Sequence, residues 1–241
     1  MLAPPLVPAE AVDAALRRQG YAVLGADGLT ALLGLPAAAF AAWPAYWDRL
    51  PPDRHLRDGG SYRRRRHGCF VVEGGQCRAT AHRAHWQPVE YNALHGGFER
   101  WFEPIEPGLT DDPAWTRLLV ALAGRASALR GEQPWYVEAH PFRIDTQGGI
   151  GRPTPEGAHR DGVDLVAVTL IGRSGVKGGE TRVFDADGPH GLRFTMAEPL
   201  TTLLLDDARV IHETTPIQPD GEAGHRDTLV LTFRAGGFQG P

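Results

Sequence analysis

Cysteine is nearly missing from this sequence: Cys69 and Cys77 are the only 2 in 241 residues. So small a set makes a poor disulfide framework. It points to a reducing compartment, with both thiols free and a cytoplasmic location expected. Long apolar runs are missing too. No stretch approaches the roughly 18 to 20 residues that a membrane helix needs. The opening MLAPPLVPAEAVDAALRR lacks the basic start and apolar centre of a secretory leader. Neither sign of charge dominates, since the formal net charge is −4 and the pI is near 6.2. That balance offers no general attraction for nucleic acid or an anionic membrane, and neither is expected as a partner. Internal repeats and low-complexity linkers are also absent.

What is present suits a soluble globular domain, with 42% hydrophobic and 22% charged residues. The 30 glycines and 20 prolines favour many turns and short strands over a helical bundle. Residues 8–50 hold alanine- and leucine-rich runs at helical spacing, and 51–110 are irregular and rich in Arg, His and Gly. TDDPAWTRLLVALAGRASALRG predicts a helix capped by Asp112, with Pro113 in its first turn and Gly131 at its end. After residue 134 the pattern turns to β. WYVEAHPFRI, VDLVAVTLI, ETRVFD, LTTLLLDD, RVIHETTPI and DTLVLTFR are short, β-branched and separated by Gly, Pro and Asp. Such spacing predicts a sandwich or barrel-like β domain. The expectation is one domain over 1–241: a helical and irregular flank over 1–133 and a β core over 134–236.

PEGAHRDGVDLVAV places His159 and Asp161 two positions apart at the start of an apolar run. If both lie in a strand, they share a face and can grip one ion. His212, 53 residues later in DDARVIHETTP, is the candidate third ligand. Two histidines and one carboxylate leave coordination positions open, which is the ligand set of non-haem Fe(II) oxygenases. HRDTLVLTFR adds Arg226 and Thr228 on one strand face. An arginine in an apolar strand is costly unless it meets an anion, and a guanidinium beside a hydroxyl suits a carboxylate. Arg226 follows His212 by 14 residues, so a hairpin could bring the two together.

The combination of H-x-D, a distal His and Arg-x-Thr resembles the Fe(II)/2-oxoglutarate-dependent dioxygenases. It is most similar to a bacterial group of amino-acid hydroxylases that includes isoleucine dioxygenase and the biofilm- and stress-linked BsmA-like proteins. The similar stretches include YRRRRHGCF (62–70), QPVEYNALHGGFERWF (87–102), EAHPFRI (138–144), PTPEGAHRDGVD (153–164), GGETRVFD (178–185), LTTLLLDDARVIHETTPI (200–217) and HRDTLVLTFR (225–234). The resemblance implies a mainly β, jelly-roll double-stranded β-helix with flanking helices. It implies Fe(II) on His159, Asp161 and His212, and 2-oxoglutarate on Arg226 and Thr228. It further implies O2 as co-reactant and hydroxylation of a small molecule, a free amino acid or derivative, with release of succinate and CO2. Arg234 shares the parity of Arg226 and is the alternative seat for 2-oxoglutarate. Two other readings keep the fold: a cupin-like metal enzyme without 2-oxoglutarate, and a non-catalytic jelly-roll protein linked to stress or biofilm formation.

Other residues stay open at this level. Arg63 to Arg66 read as a nucleic-acid patch or, given the acidic total, as a solvated loop face, and the resemblance implies a third role, a contact to an anionic group of the substrate. Arg143 is a second candidate for that contact. If 135–144 lines the barrel, Glu138, His140 and Phe142 share one face, and Arg143 and Asp145 the other. His82 with His85, and His67 near Cys69, are weak hints of a second metal, without a carboxylate close by. Asp206 and Asp207 read as a turn cap or as supports around the metal-bearing strand. Gly178, Gly179 and Glu180 read as a turn or bulge entering a strand.

Overall fold

The structure, a computed structural model, describes residues 1–92, 94 and 96–240. Its strands are β1 (Tyr21–Leu24), β2 (Arg63–Arg65), β3 (Gly68–Glu73), β4 (Gln76–Ala79), β5 (Trp135–Asp145), β6 (Leu165–Ser174) and β7 (Val176–Gly178). They continue as β8 (Thr181–Asp185), β9 (Gly191–Phe194), β10 (Thr202–Asp206), β11 (Val210–Thr214), β12 (Ile217–Pro219) and β13 (His225–Ala235). The helices are α1 (Val12–Gln19), α2 (Ala26–Leu33), α3 (Pro44–Trp47), α4 (Pro107–Thr110) and α5 (Pro113–Arg130).

A large antiparallel sheet runs β1-β10-β6-β13-β5-β3-β4, with β2 also paired to β5. A second layer consists of β11-β8-β9 and the pair β12-β7. This is the jelly-roll arrangement expected from the sequence. Strand alternation gives each face of the large sheet its own partner. Leu165, Ala167, Leu204, Leu229, Leu231 and Phe233 face the helices. Val166, Leu170, Leu203 and Leu205 face the second layer, against Val183, Phe194 and Val210.

Helix α5 forms as its signals predict. The Asp112 carboxylate accepts from the Ala114 N–H at 2.9 Å, Pro113 opens the first turn, and Gly131 follows the last residue at φ 87°. Its Trp115, Leu118, Leu119 and Leu122 are buried against the sheet. Each such side chain contributes roughly 1.5–3 kcal/mol of burial.

The flank differs from its helical and irregular expectation, because β1 to β4 come from it and join the large sheet. Gly20 ends α1 in the left-handed region at φ 76°, which frees YAVL to pair with β10. Gly74 and Gly75, at φ 57° and 76°, make the two-residue hairpin between β3 and β4.

Candidate active site

The two layers leave a cavity of about 120 Å³ between them. Strand β13 sends Arg226, Thr228, Val230 and Thr232 into it, while Leu229, Leu231 and Phe233 turn to the helices. Thus the alternation of DTLVLTF separates a polar cavity wall from the core. Strand β11 contributes His212 and Thr214, and β5 contributes Glu138, His140 and Phe142.

His159, Asp161 and His212 come together, with ligand atoms all within 4.8 Å of one another. His212 Nε2 lies 3.8 Å from Asp161 Oδ2, and His159 Nε2 lies 4.0 Å from Asp161 Oδ1. His159 and Asp161 do not sit inside a strand, as the parity argument assumed. They lie in the segment before β6, where His159 and His212 exchange two backbone hydrogen bonds of 3.0 Å. Asp207 fixes that segment. Its carboxylate accepts from the backbone N–H groups of Asp161, Gly162 and Val163 at 3.0, 2.7 and 3.1 Å. It therefore supports Asp161 through the backbone, without touching a histidine ring. Gly162 sits at φ 75°, and a side chain there would meet the Tyr91 ring at 2.5 Å. Asp206 pairs instead with Arg130.

The donor set fits a divalent transition metal. His159 Nδ1–H donates to the Gly157 carbonyl at 2.9 Å, which leaves Nε2 free as a ligand. His212 Nδ1 is buried with no partner among the described residues. Burial, then Asp207 and Glu156, push the Asp161 carboxyl up to about 7 against the pull of His159. Burial disfavours a charged His159, yet Asp161 and Glu156 outweigh it and raise its affinity for a proton. A bound cation would replace that proton and hold the carboxylate ionised.

Arg226 is 3% exposed, and its Nε and Nη2 have no acceptor among the described residues. Burial and the nearby Arg173 push its guanidinium down to about 10. Thr228 is buried on the same face. The hairpin imagined between His212 and Arg226 is absent: β11 pairs with β8, and β13 pairs with β5 and β6. The two residues meet across the layers instead. Arg234 is outside the cavity lining and donates to the Gly237 carbonyl at 2.7 Å.

Arg143 faces away from the cavity, where its guanidinium holds Asp227 at 2.7 Å and Asp48 at 2.8 Å. Arg64 and Arg66 also turn outward, to Asp145 and Glu103. Gly178 and Gly179 form the expected turn, and a side chain on Gly178 would meet the Pro216 carbonyl at 2.4 Å. Among the described residues His82 belongs to no group that could hold a metal; its Nε2 lies 2.8 Å from the Phe102 carbonyl oxygen.

A second buried group was not assembled from the sequence. His67, His85, Glu138 and His140 also bring ligand atoms within 4.8 Å of one another, a spacing that could hold a metal. The members come from separate segments. The parity of EAHPF and the Gly-Gly turn after β3 were the available signals.

The 2OG-Fe dioxygenase family matches residues 44–232, well over half of the chain. No curated protein matches the sequence. Among solved structures, a bsmA homologue from Methylobium petroleophilum PM1 is 56% identical, with a TM-score of 0.93 over 99% of this chain and 98% of that one. The IDO protein from Bacillus thuringiensis is 15% identical, with a TM-score of 0.77 over 98% of this chain and 100% of that one. The Fe(II)/(alpha)ketoglutarate-dependent dioxygenase TqaL is 21% identical, with a TM-score of 0.72 over 93% of this chain and 86% of that one. These last two share the fold. The chain therefore belongs to the 2OG-Fe dioxygenase family, enzymes that use Fe(II), 2-oxoglutarate and O2.

Proposed function

We propose that this dioxygenase hydroxylates a free amino acid or a close derivative. The metal ligands in this reading are His159, Asp161 and His212, and the carboxylate seat for 2-oxoglutarate is Arg226 with Thr228. One observation carries it: the ligand triad and an unpaired buried guanidinium line the same small cavity. Its volume of about 120 Å³ suits a small molecule better than a polymer. The triad is favoured over the second group because Arg65 donates to His140 Nδ1 at 2.7 Å, and a metal there would sit beside a cation.

The bound iron supplies O2 activation coupled to oxidative decarboxylation of 2-oxoglutarate. The protein's own residues position and exclude. Arg226 offers its unused N–H groups to the distal carboxylate of the cosubstrate, and Thr228 adds a hydroxyl. Gln87 donates to Asp161 Oδ1 at 3.2 Å and steadies that oxygen. Val163, Val168 and Val230 keep part of the lining apolar.

The test is to incubate the iron-loaded protein with 2-oxoglutarate and a panel of amino acids and to follow succinate. The expected result is release stimulated by at least one of them. No succinate with any compound, together with no iron binding, would overturn the assignment. Calorimetric titration separates the cupin-like alternative, which predicts metal binding without 2-oxoglutarate binding.

A further inference from the structure

Among the described residues three guanidiniums line the cavity without a carboxylate partner, and the proposed cosubstrate seat uses one. Arg226 is the first. The others are Arg65 on β2, 3% exposed, and Arg100, 2% exposed. Among the described residues neither Arg65 nor Arg100 makes a salt bridge, and the Nε of each has no acceptor. A buried cation of this kind is costly unless an anion meets it.

Two nearby acids are already engaged. Asp53 accepts from Arg63 Nε at 2.7 Å and from the His55 N–H at 2.8 Å. Glu138 accepts from His85 Nδ1–H at 2.8 Å and lies 3.6 Å from His67 Nε2. The lining holds two further acids: Asp161, a proposed metal ligand, and Glu156, whose Oε1 lies 3.5 Å from His159 Nε2 and whose Oε2 has no partner among the described residues.

Arg65 is also held in place. Its guanidinium stacks over Phe102 at 3.8 Å and over Phe142 at 4.4 Å. Its Nη2 donates at 2.7 Å to His140 Nδ1, which must then be the unprotonated nitrogen of a neutral ring. Burial, reinforced by Arg65, keeps His140 neutral. Arg100 Nη2 donates to Gln87 Oε1 at 2.8 Å, and Gln87 in turn reaches Asp161. Arg100 is thus two hydrogen bonds from a proposed metal ligand. In the sheet, Thr228 is opposite Phe142, and Phe142 is opposite Arg65. The Thr228 and Arg65 backbones are therefore roughly 10 Å apart, two strand spacings.

We infer that Arg65 and Arg100 form a second anion seat, separate from that of 2-oxoglutarate, which binds a carboxylate of the substrate and sets its position. His67, His85, Glu138 and His140 are then positioning residues that hold Arg65. This rests on the proposed iron and 2-oxoglutarate sites. It adds that the substrate must keep a free carboxylate, and it names the side chains that read it.

The probes are the common free amino acids and their C-terminal amides, each titrated into the purified protein by thermal shift and calorimetry. At least one free acid should bind, and its amide should bind on the order of 10- to 100-fold more weakly, the loss of a charge-assisted contact. Arg65→Lys keeps the charge but loses the planar fork, and should weaken the acid by about tenfold. Arg100→Met should do at least as much. Melting temperature and iron content verify that each variant is folded. Amides that bind as well as the acids, or binding of neither, would overturn the inference. So would an acid whose affinity ignores both substitutions. Failure of the iron and 2-oxoglutarate reading looks different, because iron content and 2-oxoglutarate binding would then be missing from the unaltered protein.

Discussion

The molecule holds two groups of histidines and acids at similar spacing, built in different ways. His159, Asp161 and His212 join a loop to a strand of the second layer. His67, His85, Glu138 and His140 are packed against the large sheet, fully or nearly fully buried. In the first, the ring Nε2 atoms and the Asp161 carboxylate converge, and burial pushes that carboxyl towards its protonated form. In the second, Glu138 already has its N–H donor, His140 has Arg65, and the guanidiniums supply positive charge. On the proposed assignment, ligand atoms within reach of one another do not by themselves make a metal centre. What decides is whether the surrounding charges leave a place for a cation.

The sharpest way to break the comparison is to remove one ligand from each group. His159→Ala and Asp161→Ala should each abolish stoichiometric iron binding, and turnover with it, as metal analysis and succinate release would show. His85→Ala should leave the iron content at one equivalent per chain. Iron that survives in the first two variants and disappears in the third would exchange the roles of the groups. Arg226→Ala comes next in size. It should raise the 2-oxoglutarate concentration needed for half-maximal turnover on the order of 10- to 100-fold, with iron content unchanged. An unchanged requirement would move the cosubstrate seat elsewhere.

The first group could be assembled from the sequence, whereas the second was visible only as separate hints: His67, His85 and the shared face of Glu138 and His140. His159, Asp161 and His212 are residue types with a chemistry of their own, and two of them are only two positions apart in sequence. Their local geometry differs from the strand and hairpin that the pattern suggests: the backbone at His159 and Asp161 makes a loop tied to Asp207, and His212 and Arg226 come from two different layers. Arg226 and Thr228 share the cavity face because β13 is a regular strand over 11 residues, so parity holds along it. The second group was hidden because Glu138 and His140 needed a decision about which face of β5 looks inward. That decision depends on β2 and β3, short strands in a stretch whose composition resembles a loop. The two glycines of the β3–β4 turn were the missed sign.

The second group is also sensitive to acid. Burial pushes His85 down to about 3, whereas an unfolded histidine titrates near 6.5. Below about pH 6.5 the unfolded chain takes up a proton that the folded chain refuses. Stability is therefore lost as the pH falls from about 6.5 towards 3, and this contribution is constant above that window. Burial lowers His67 and His140 in the same direction. Urea-unfolding midpoints measured across this range should fall with pH, and His85→Gln should flatten the slope. A slope that His85→Gln leaves unaltered would place the acid sensitivity in another part of the molecule.

The smallest effect sharpens the reading of β13. Arg226 and Arg234 are eight residues apart and share a strand face, so pattern alone cannot choose between them. The structure separates them by depth. Arg226 is buried on the cavity with unused N–H groups, whereas Arg234 lies at the strand's far end, where its Nη1 donates to a carbonyl three residues on. Replacing Arg234 removes one partly exposed hydrogen bond, so Arg234→Ala should change the 2-oxoglutarate requirement by less than about twofold and cost roughly 1 kcal/mol of stability at most. A tenfold rise in the requirement, with the protein folded and iron bound, would mean that the carboxylate lies at the other end of the strand.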